Sequence, residues 1–363
     1  MKVLKFGGSS VASSENIKKV INIIIATSKK QKIIVVVSAF GKTTNALIEG
    51  AHLAQNKNSG YKEIIQKLEK HHFNVIEELI PTEQQPTIVA HIKELFNQLE
   101  TIYKGCYLLE ELSPKTLATI SSFGELLSAS IIAEISNLKI DTIYKDSRDL
   151  IVASEMYLDA VVDFPATNKN ITDYFKDATA HVTLMPGFVA RTNLGQTTTL
   201  GRGGSDYSAA IYAAALDAKE LQIWTDVSGM FTSNPSIVKQ AFAIPHISYH
   251  EAMELSHFGA KVIYPPTIQP VLQKEIPIVI KNTFQPEDIG TRITKDTHTN
   301  NQPVKGISYI ENITLITLGG TGMVGMPGFS KRLFEILSLH EINITLITQA
   351  SSELSICIGV ENK

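Results

Sequence analysis

The sequence has few cysteines, no excess of charge of one sign and no long uninterrupted apolar run. Its 363 residues include 2 cysteines, Cys106 and Cys357, which form no CxxC spacing, so a disulfide framework and a thiolate metal site are disfavoured. Lys plus Arg number 33 against 36 Asp plus Glu, and such a chain lacks the positive field that sequence-independent nucleic-acid binding needs. Apolar runs such as Ile33–Val37 are too short to span a bilayer, and Met1 leads into a strand-like run without a secretory leader. We therefore expect a soluble, cytoplasmic protein without a nucleic-acid or membrane partner.

Short β-branched runs alternate with longer helical patterns through most of the chain. This alternation is typical of an α/β fold, a three-layer αβα sandwich with a mostly parallel sheet. The predicted strands are Lys2–Phe6, Ile33–Val37, Ile140–Lys145, His181–Met185, Thr197–Leu200, Leu221–Thr225 and Ile276–Lys281. Residues 46–138 are almost all helical in pattern and predict a helical subdomain that could cover a ligand. Within it, Ser113 is predicted to N-cap a helix that begins at Pro114.

The pattern changes after Lys281, where the polar stretch 294–303 predicts a linker. We expect a first domain over residues 1–296 and a second over 304–363. In the second, a strand, a helix and two strands follow in the β-α-β-β order of a small, incomplete ferredoxin-like α+β module. These elements are predicted at Ile313–Leu318, Phe329–Leu339, Ile342–Thr348 and Leu354–Val360. We expect either that the chain is a piece of a longer protein or that a partner completes the module.

Ligands of open α/β sheets bind just beyond the carboxyl ends of the strands, so the residues there are functional candidates. The first strand runs into Gly7 and Gly8, whose backbone could approach an anion, and Lys5 could reach a transferring phosphate. An ordinary strand-to-helix turn is the alternative. The second strand ends in a loop, Ser38–Asn45, that is similar to part of a Walker A motif but lacks its first glycine. This loop either caps the next helix or binds substrate.

The segment Leu200–Asp206 places three glycines around one arginine immediately before a helix. This composition predicts a backbone nest with Arg202 as a binder of carboxylate or phosphate, unless Asp206 is a simple N-cap and Arg202 a surface charge. Thr225 and Asp226 follow another strand at the same edge. With Lys261, they supply the acid and the cation that phosphoryl transfer needs, although each could be a solvated charge.

One acidic side chain lies in an apolar helix. Glu125 adjoins Gly124, which predicts either a carboxylate that faces a cleft and holds an ammonium group or a solvent-facing glutamate. The histidines and glutamates between His246 and His257 lack HExxH spacing, so we predict no metal site made by protein side chains.

Together these segments resemble the aspartate kinases of the amino-acid kinase family along essentially the whole chain. Lys5–Ala12 resembles KFGGTSVA, Ser122–Glu125 resembles SxGE, Leu200–Asp206 matches LGRGGSD, Trp224–Val227 matches WTDV, and Phe258–Pro265 resembles FGAKVLHP with tyrosine in place of histidine. Ser248–Phe258 and Ile276–Phe284 are most similar to the aspartokinase half of bifunctional aspartokinase/homoserine dehydrogenases. The tail resembles the first part of an ACT regulatory module.

The resemblance implies ATP-dependent, Mg²⁺-assisted phosphorylation of the β-carboxylate of L-aspartate, the first step towards lysine, threonine and methionine. It implies that Lys5, Asp206 and Lys261 are catalytic, with the lysines neutralising the triphosphate and Asp206 orienting Lys5. The implied substrate residues are Ser38, Thr44, Glu125, Phe188, Arg202, Gly203, Gly204 and Ser205, with Arg202 on the α-carboxylate and Glu125 on the ammonium. The implied nucleotide residues are Lys5, Gly7, Gly8, Ser9, Thr225, Asp226, Phe231, Ser236, Lys261 and Val262. The ACT-like tail implies a homodimer and an amino-acid effector, threonine or lysine.

The sequence departs from the family near the nucleotide. Relatives commonly read YTxDPR where this chain has Phe231–Ser236, so the hydroxyl, acid and arginine are missing. Losing one charge-assisted contact costs roughly 1.5–3 kcal/mol, which would weaken ATP binding. Two alternatives therefore stay open: a relative acting on glutamate, acetylglutamate, carbamate or UMP, and a weakly catalytic amino-acid sensor.

Overall fold

The computed structural model divides the chain into two compact units. The described residues are 1–257, 263–264, 268–295, 304–323, 325, 327–350 and 354–362. The first unit is Met1–Ile307 and the second is Ser308–Lys363.

The first unit is built on a mostly parallel sheet. Its strands, numbered along the chain, are β1 (Lys2–Phe6), β2 (Ile33–Val37), β3 (Thr142–Tyr144), β4 (Val182–Pro186), β5 (Val189–Arg191), β6 (Thr197–Thr199), β7 (Leu221–Thr225), β8 (His246–Ser248), β9 (Ile278–Asn282) and β10 (Thr291–Thr294). Within the described residues, eight of them form one sheet in the order β3-β4-β2-β1-β7-β9-β10-β8. Only β9 and β10 are antiparallel neighbours in it. The predicted mostly parallel sheet is confirmed.

Helices cover both faces of this sheet, which confirms the predicted three-layer sandwich. The helices are α1 (Ser14–Ser28), α2 (Thr43–Gln55), α3 (Tyr61–Leu79), α4 (Gln85–Leu109), α5 (Pro114–Asn137), α6 (Phe164–Asp177), α7 (Gly204–Ala215), α8 (Tyr249–His257) and α9 (Gln269–Gln273). Successive side chains of β1 and β2 point to opposite faces of the sheet, and each face packs against its own hydrophobic core. Leu4 and Val35 pack with α1 to α5, whereas Val3 and Val36 pack with α6, α7 and α9.

We predicted the strand Thr197–Leu200 as part of the mostly parallel sheet, and this prediction is wrong because the strand lies in a separate two-stranded sheet. Strand β6 pairs antiparallel with β5, a strand that we did not predict. The connection between them is a short turn in which Gly195 has a φ of 76°. So short a connection allows a hairpin but not the long crossover that parallel pairing requires.

Helix α5 is the long apolar helix of the unit. The Ser113 side chain accepts a hydrogen bond from the Thr116 N–H and Pro114 occupies the first turn, as predicted. By length and composition this helix could cross a membrane, but 83% of its apolar window is buried within the protein. That environment is typical of a core helix.

A buried histidine packs against the loop that follows β2. His72 of α3 is fully buried and stacks on Phe40, with ring centroids 4.9 Å apart. Its Nδ1 atom lies 2.7 Å from the Leu68 carbonyl oxygen, and Nε2 has no hydrogen-bond partner among the described residues. Burial lowers the pKa of this imidazole to about 4, and the bond to Leu68 only partly opposes that shift.

The second unit contains a small antiparallel sheet. Strands β11 (Ile313–Gly319), β12 (Ile344–Gln349) and β13 (Ser355–Glu361) lie in the order β11-β13-β12, and helix α10 (Phe329–Leu339) connects the first two along the chain. Leu337, Ile356 and Ile358 are buried between helix and sheet. The predicted β-α-β-β order is confirmed.

The stability of the protein should depend on pH through His72. As pH falls from about 6.5 to about 4, the unfolded chain gains a proton at this site that the folded protein does not. The free energy of unfolding should therefore drop by about 3 kcal/mol over this range. His72→Phe should remove that drop in urea unfolding measured across these pH values, whereas His52→Phe, at an exposed site of α2, should keep it. Equal pH dependence in the His72→Phe variant and the unsubstituted protein would contradict this account.

Candidate active site

The carboxyl ends of the parallel strands border one polar cavity of about 330 Å³. It is lined by Lys5, Thr44, Asn45, Glu125, Phe188, Gly201, Arg202, Gly203, Gly204, Ser205 and Asp206. All except Asn45 and Gly201 were singled out as site residues in the sequence, and these two belong to the predicted Ser38–Asn45 and Leu200–Asp206 segments. Segments that lie far apart in the sequence therefore meet around one volume large enough for a small metabolite.

Lys5 and Asp206 form an ion pair at this cavity. Lys5 Nζ lies 2.7 Å from Asp206 Oδ1, and the two side chains are only 11% and 13% exposed. Asp206 lies in the first turn of α7, where the helix dipole favours a negative charge. The pair holds a lysine ammonium in place beside the cavity.

Glu125 is buried in α5, so the solvent-facing alternative is wrong. The side chain is 4% exposed, and Oε2 has no hydrogen-bond partner among the described residues. Burial raises the pKa of this carboxyl to about 8, opposed by hydrogen bonds from the Ala39 backbone and the Ser205 hydroxyl and by the charge of Lys5. A ligand ammonium would supply the missing partner.

Arg202 is held in a glycine-rich turn. Gly201 and Gly203 both have a φ of 69°, a left-handed conformation that other residues rarely adopt. The guanidinium carbon lies 5.5 Å from the centre of the Tyr264 ring, a cation–π contact. The sequence indicated no site role for Tyr264, which occupies the position of the family histidine.

The predicted loop Ser38–Asn45 ends in the first turn of α2, and this turn lines the cavity through Thr44 and Asn45, whereas Ser38 does not line it. The Ser38 carbonyl accepts a hydrogen bond from Ser128 Oγ of α5 at 2.9 Å. A methyl group at Gly124 would lie 2.8 Å from the Ala39 β-carbon. Gly124 therefore lets the loop lie directly on α5. Asn45 was predicted only as part of this segment, because a polar residue early in a helix has no distinctive local signal.

The glycine turn after β1 lies beside this loop. A β-carbon at Gly8 would lie 3.0 Å from the Gly41 carbonyl oxygen, and the Gly41 N–H donates to the Gly8 carbonyl at 3.0 Å. Ser10 Oγ lies 2.7 Å from Thr283 Oγ1, which joins the turn to the end of β9. The predicted residues Gly7, Gly8 and Ser9 therefore sit at the sheet edge, although they do not line the cavity itself.

The remaining nucleotide residues are more dispersed. Thr225 ends β7 and its hydroxyl donates to Asp226 at 3.1 Å, next to the end of β1. Phe231 forms an isolated bridge with Ala243, and Ser236 is exposed and donates to the Asn234 side chain. None of these four predicted residues lines the cavity. The predictions for Lys261 and Val262 lie outside the described residues.

Among the described residues, no group of three or more His, Cys, Asp or Glu side chains could hold a metal ion. Asp206 and Asp226 offer carboxylates near the strand ends. Magnesium is usually bound through one or two carboxylates together with substrate phosphates, so this donor set fits a metal that arrives with a nucleotide.

Comparisons with known proteins agree with this architecture. A model of the amino acid kinase family matches residues 1–282, and a model of the ACT domain matches residues 316–363. The chain is 37% identical over 368 residues to the bifunctional aspartokinase/homoserine dehydrogenase of Buchnera aphidicola, covering 99% of this chain and 44% of that protein. It is 33% identical over 368 residues to the chloroplastic aspartokinase 1 of Arabidopsis thaliana, covering 99% of this chain and 63% of that protein. The chain thus spans less than two thirds of the length of these relatives.

Solved structures give the same result. E. coli aspartokinase III in complex with aspartate and ADP, in the R-state, matches with a TM-score of 0.84 at 30% identity, covering 100% of this chain and 79% of that one. The same enzyme in complex with lysine and aspartate, in the T-state, matches with a TM-score of 0.82 at 29% identity, covering 99% and 79%. The resemblance to aspartokinases found in the motifs is confirmed.

Glu125→Gln should stabilise the free protein at alkaline pH. A carboxyl whose pKa is raised on folding contributes its full stability below the unfolded value of about 4.5 and loses it as pH rises through about 8. The neutral amide of the variant does not ionise, so the variant avoids this loss. The difference in unfolding free energy between variant and parent should therefore be a few kcal/mol larger at pH 8.5 than at pH 4.5, as the size of the pKa shift implies. Urea unfolding at both pH values measures it, with Glu134→Gln in the same helix as control. A variant that is less stable than the parent at pH 8.5 would contradict the burial argument.

Proposed function

The chain belongs to the amino acid kinase family, and from this membership we propose that it transfers the γ-phosphate of ATP to the β-carboxylate of L-aspartate, forming 4-phospho-L-aspartate. The observation that carries the proposal is the meeting of Arg202, Glu125 and the Lys5–Asp206 pair around one cavity. An arginine suits a carboxylate, and a buried carboxylate suits an ammonium. A lysine remains for the second carboxylate and the phosphate.

The amino acid would be held at its α-carbon. In this arrangement Arg202 binds the α-carboxylate and Glu125 accepts hydrogen bonds from the ammonium, so the side-chain carboxylate points towards Lys5. A carboxylate is ionised at neutral pH and needs no general base to act as a nucleophile. The contribution of the protein is then positioning and charge stabilisation.

Lys5 would stabilise the negative charge that builds up between the attacking β-carboxylate and the γ-phosphate during transfer. The Asp206 carboxylate fixes the ammonium at a defined point, so little reorganisation is required at that moment. Asp206 and Asp226 would help to hold Mg²⁺ together with the substrate phosphates, and the ion would then neutralise charge on the phosphate oxygens. Lys261 is proposed as a second cation from the motif alone.

Trapping the product with hydroxylamine tests substrate and reaction together. Incubation with ATP, Mg²⁺ and aspartate should give a hydroxamate. When glutamate, acetylglutamate, carbamate or UMP replaces aspartate, little hydroxamate and little ADP should form. Lys5→Ala should lower kcat at least about 100-fold, as expected for loss of a preorganised charge.

Lys2→Ala is the matched control. Lys2 lies on the same strand, three residues before Lys5, but its Nζ atom pairs with Glu220 Oε1 at 3.0 Å. It should keep activity near that of the parent. A Lys5→Ala variant as active as the parent would reject the role of this lysine. Hydroxamate formation with another acceptor alone would reject aspartate.

We further propose that the second unit mediates homodimer formation and binds an amino-acid effector, threonine or lysine. Leu315 and Leu346 are 62% and 47% exposed, and both lie opposite Gly359 in the sheet register. They form an apolar pair on one face of the small sheet. Such a face is suited to a second copy.

Light scattering at micromolar concentration should give twice the mass of one chain. Leu315→Lys should shift the protein towards monomer, because a charge would be buried in the interface. Leu109→Lys, at a site of the first unit that is 74% exposed, should leave the mass unchanged. A monomeric parent protein would count against the dimer.

A further inference from the structure

One wall of the cavity is a residue in an unfavourable backbone conformation. Phe188 has a φ of 68°, in the left-handed region that non-glycine residues rarely occupy. The Val189 N–H donates to the Gly187 carbonyl at 2.7 Å, which closes a tight three-residue turn centred on Phe188. A turn of this kind is strained and persists only where its surroundings hold it.

The surroundings that hold it centre on Ser208, one helical turn into α7. This side chain is fully buried. Its hydroxyl accepts a hydrogen bond from the Phe188 N–H at 3.0 Å and donates one to the Gly204 carbonyl at 2.9 Å. The same oxygen atom therefore joins the cavity wall to the first turn of the helix that carries Asp206.

Packing leaves the wall no space to shift alone. A β-carbon at Gly204 would lie 2.7 Å from Phe188 Cδ2, and one at Gly187 would lie 2.7 Å from the Ser205 β-carbon. The Leu200 N–H also donates to the Phe188 carbonyl at 2.9 Å. Among the residues that the structure describes, the Ser208 hydroxyl is thus the side-chain group that hydrogen-bonds to the Phe188 backbone, within a tightly interlocked region.

We propose that Ser208 is a positioning residue that holds Phe188 against the amino-acid site and so favours a four-carbon over a five-carbon dicarboxylic amino acid. The identity of the substrate rests on the proposed function. A substrate anchored by Arg202 and Glu125 extends towards Lys5, and all three side chains border the same cavity as Phe188. An additional methylene group would lengthen the substrate within this cavity, and we assign the limit on its length to the Phe188 wall.

Ser208→Ala should therefore change recognition of the amino acid and leave recognition of the nucleotide intact. We expect KM for aspartate to rise about tenfold, with KM for ATP within about twofold of the parent. The ratio of kcat/KM for aspartate over glutamate should fall at least about fivefold, because one methylene in a shaped pocket is worth about 10- to 200-fold. Ser208→Thr should restore both values towards the parent, since a threonine hydroxyl can still bond the carbonyl four residues before and accept a hydrogen bond from the Phe188 N–H.

Ser130→Ala is the matched control. Ser130 is also a buried helical serine and donates to the Leu126 carbonyl at 2.8 Å, but it lies away from the cavity lining. It should leave KM and the aspartate-to-glutamate ratio unchanged. If Ser208→Ala fails to fold, the isosteric pair Ser208→Thr and Ser208→Val provides the same comparison of a hydroxyl with a methyl group.

Two results would overturn the role of Ser208. One is an unchanged aspartate KM and preference in Ser208→Ala, and the other is an equal loss in the threonine and valine variants. Failure of the parent protein to form any hydroxamate would instead count against the proposed function. In that case calorimetric titration with aspartate and glutamate, which requires no turnover, still decides whether Ser208→Ala alters their relative affinities.

Discussion

A buried lysine needs a partner, and the partner of Lys5 in this fold is the Asp206 carboxylate. The pair links the central strand β1 to the first turn of α7, so it fixes the position of the helix start against the sheet. Removing one partner would leave the other charge buried alone, which is far more costly than losing a surface ion pair. The glycine-rich turn before α7, the Phe188 wall and the Glu125 carboxyl are all arranged around this contact.

Close approach of separate backbone segments makes that arrangement possible. Gly8 packs on the carbonyls of the Ser38–Asn45 loop, Gly124 packs under the same loop, and Gly204 packs on the Phe188 ring. At each position even a methyl group would meet another atom at about 3 Å or less. The cavity is therefore bordered by loops that have little freedom to move independently.

The central strands of the main sheet were predicted best. β1, β2 and β7 have the predicted bounds, because central parallel strands are largely buried, so that β2 is continuously apolar and β1 and β7 are mainly apolar. The short strands β5, β8 and β10 were missed, because three or four residues carry too little periodicity. The predicted helix start at Pro114 was correct, since a serine followed by proline is a specific local signal.

The site residues also divide into those with a distinctive local sequence and those without one. Lys5, Arg202 and Asp206 lie in or beside glycine-rich segments with charged residues, a composition that indicates an anion site. Ser208 has no such local signal, because a serine in an alanine-rich helix has many ordinary explanations and its contact with Phe188 bridges segments that only the fold brings together. The burial of Glu125 likewise could not be predicted, because it depends on contacts with distant segments such as the Ala39 backbone.

Binding of an ammonium ligand beside Glu125, whose Oε2 atom has no hydrogen-bond partner among the described residues, would depend on the proton concentration of the solution. Lys5, Ser205 and the Ala39 backbone already face this group, yet its pKa stays near 8. An arriving ammonium group would lower that value, so binding below pH 8 would expel a proton into the solvent. By thermodynamic linkage, the affinity for such a ligand would then increase as the solution becomes less acidic across the neutral range.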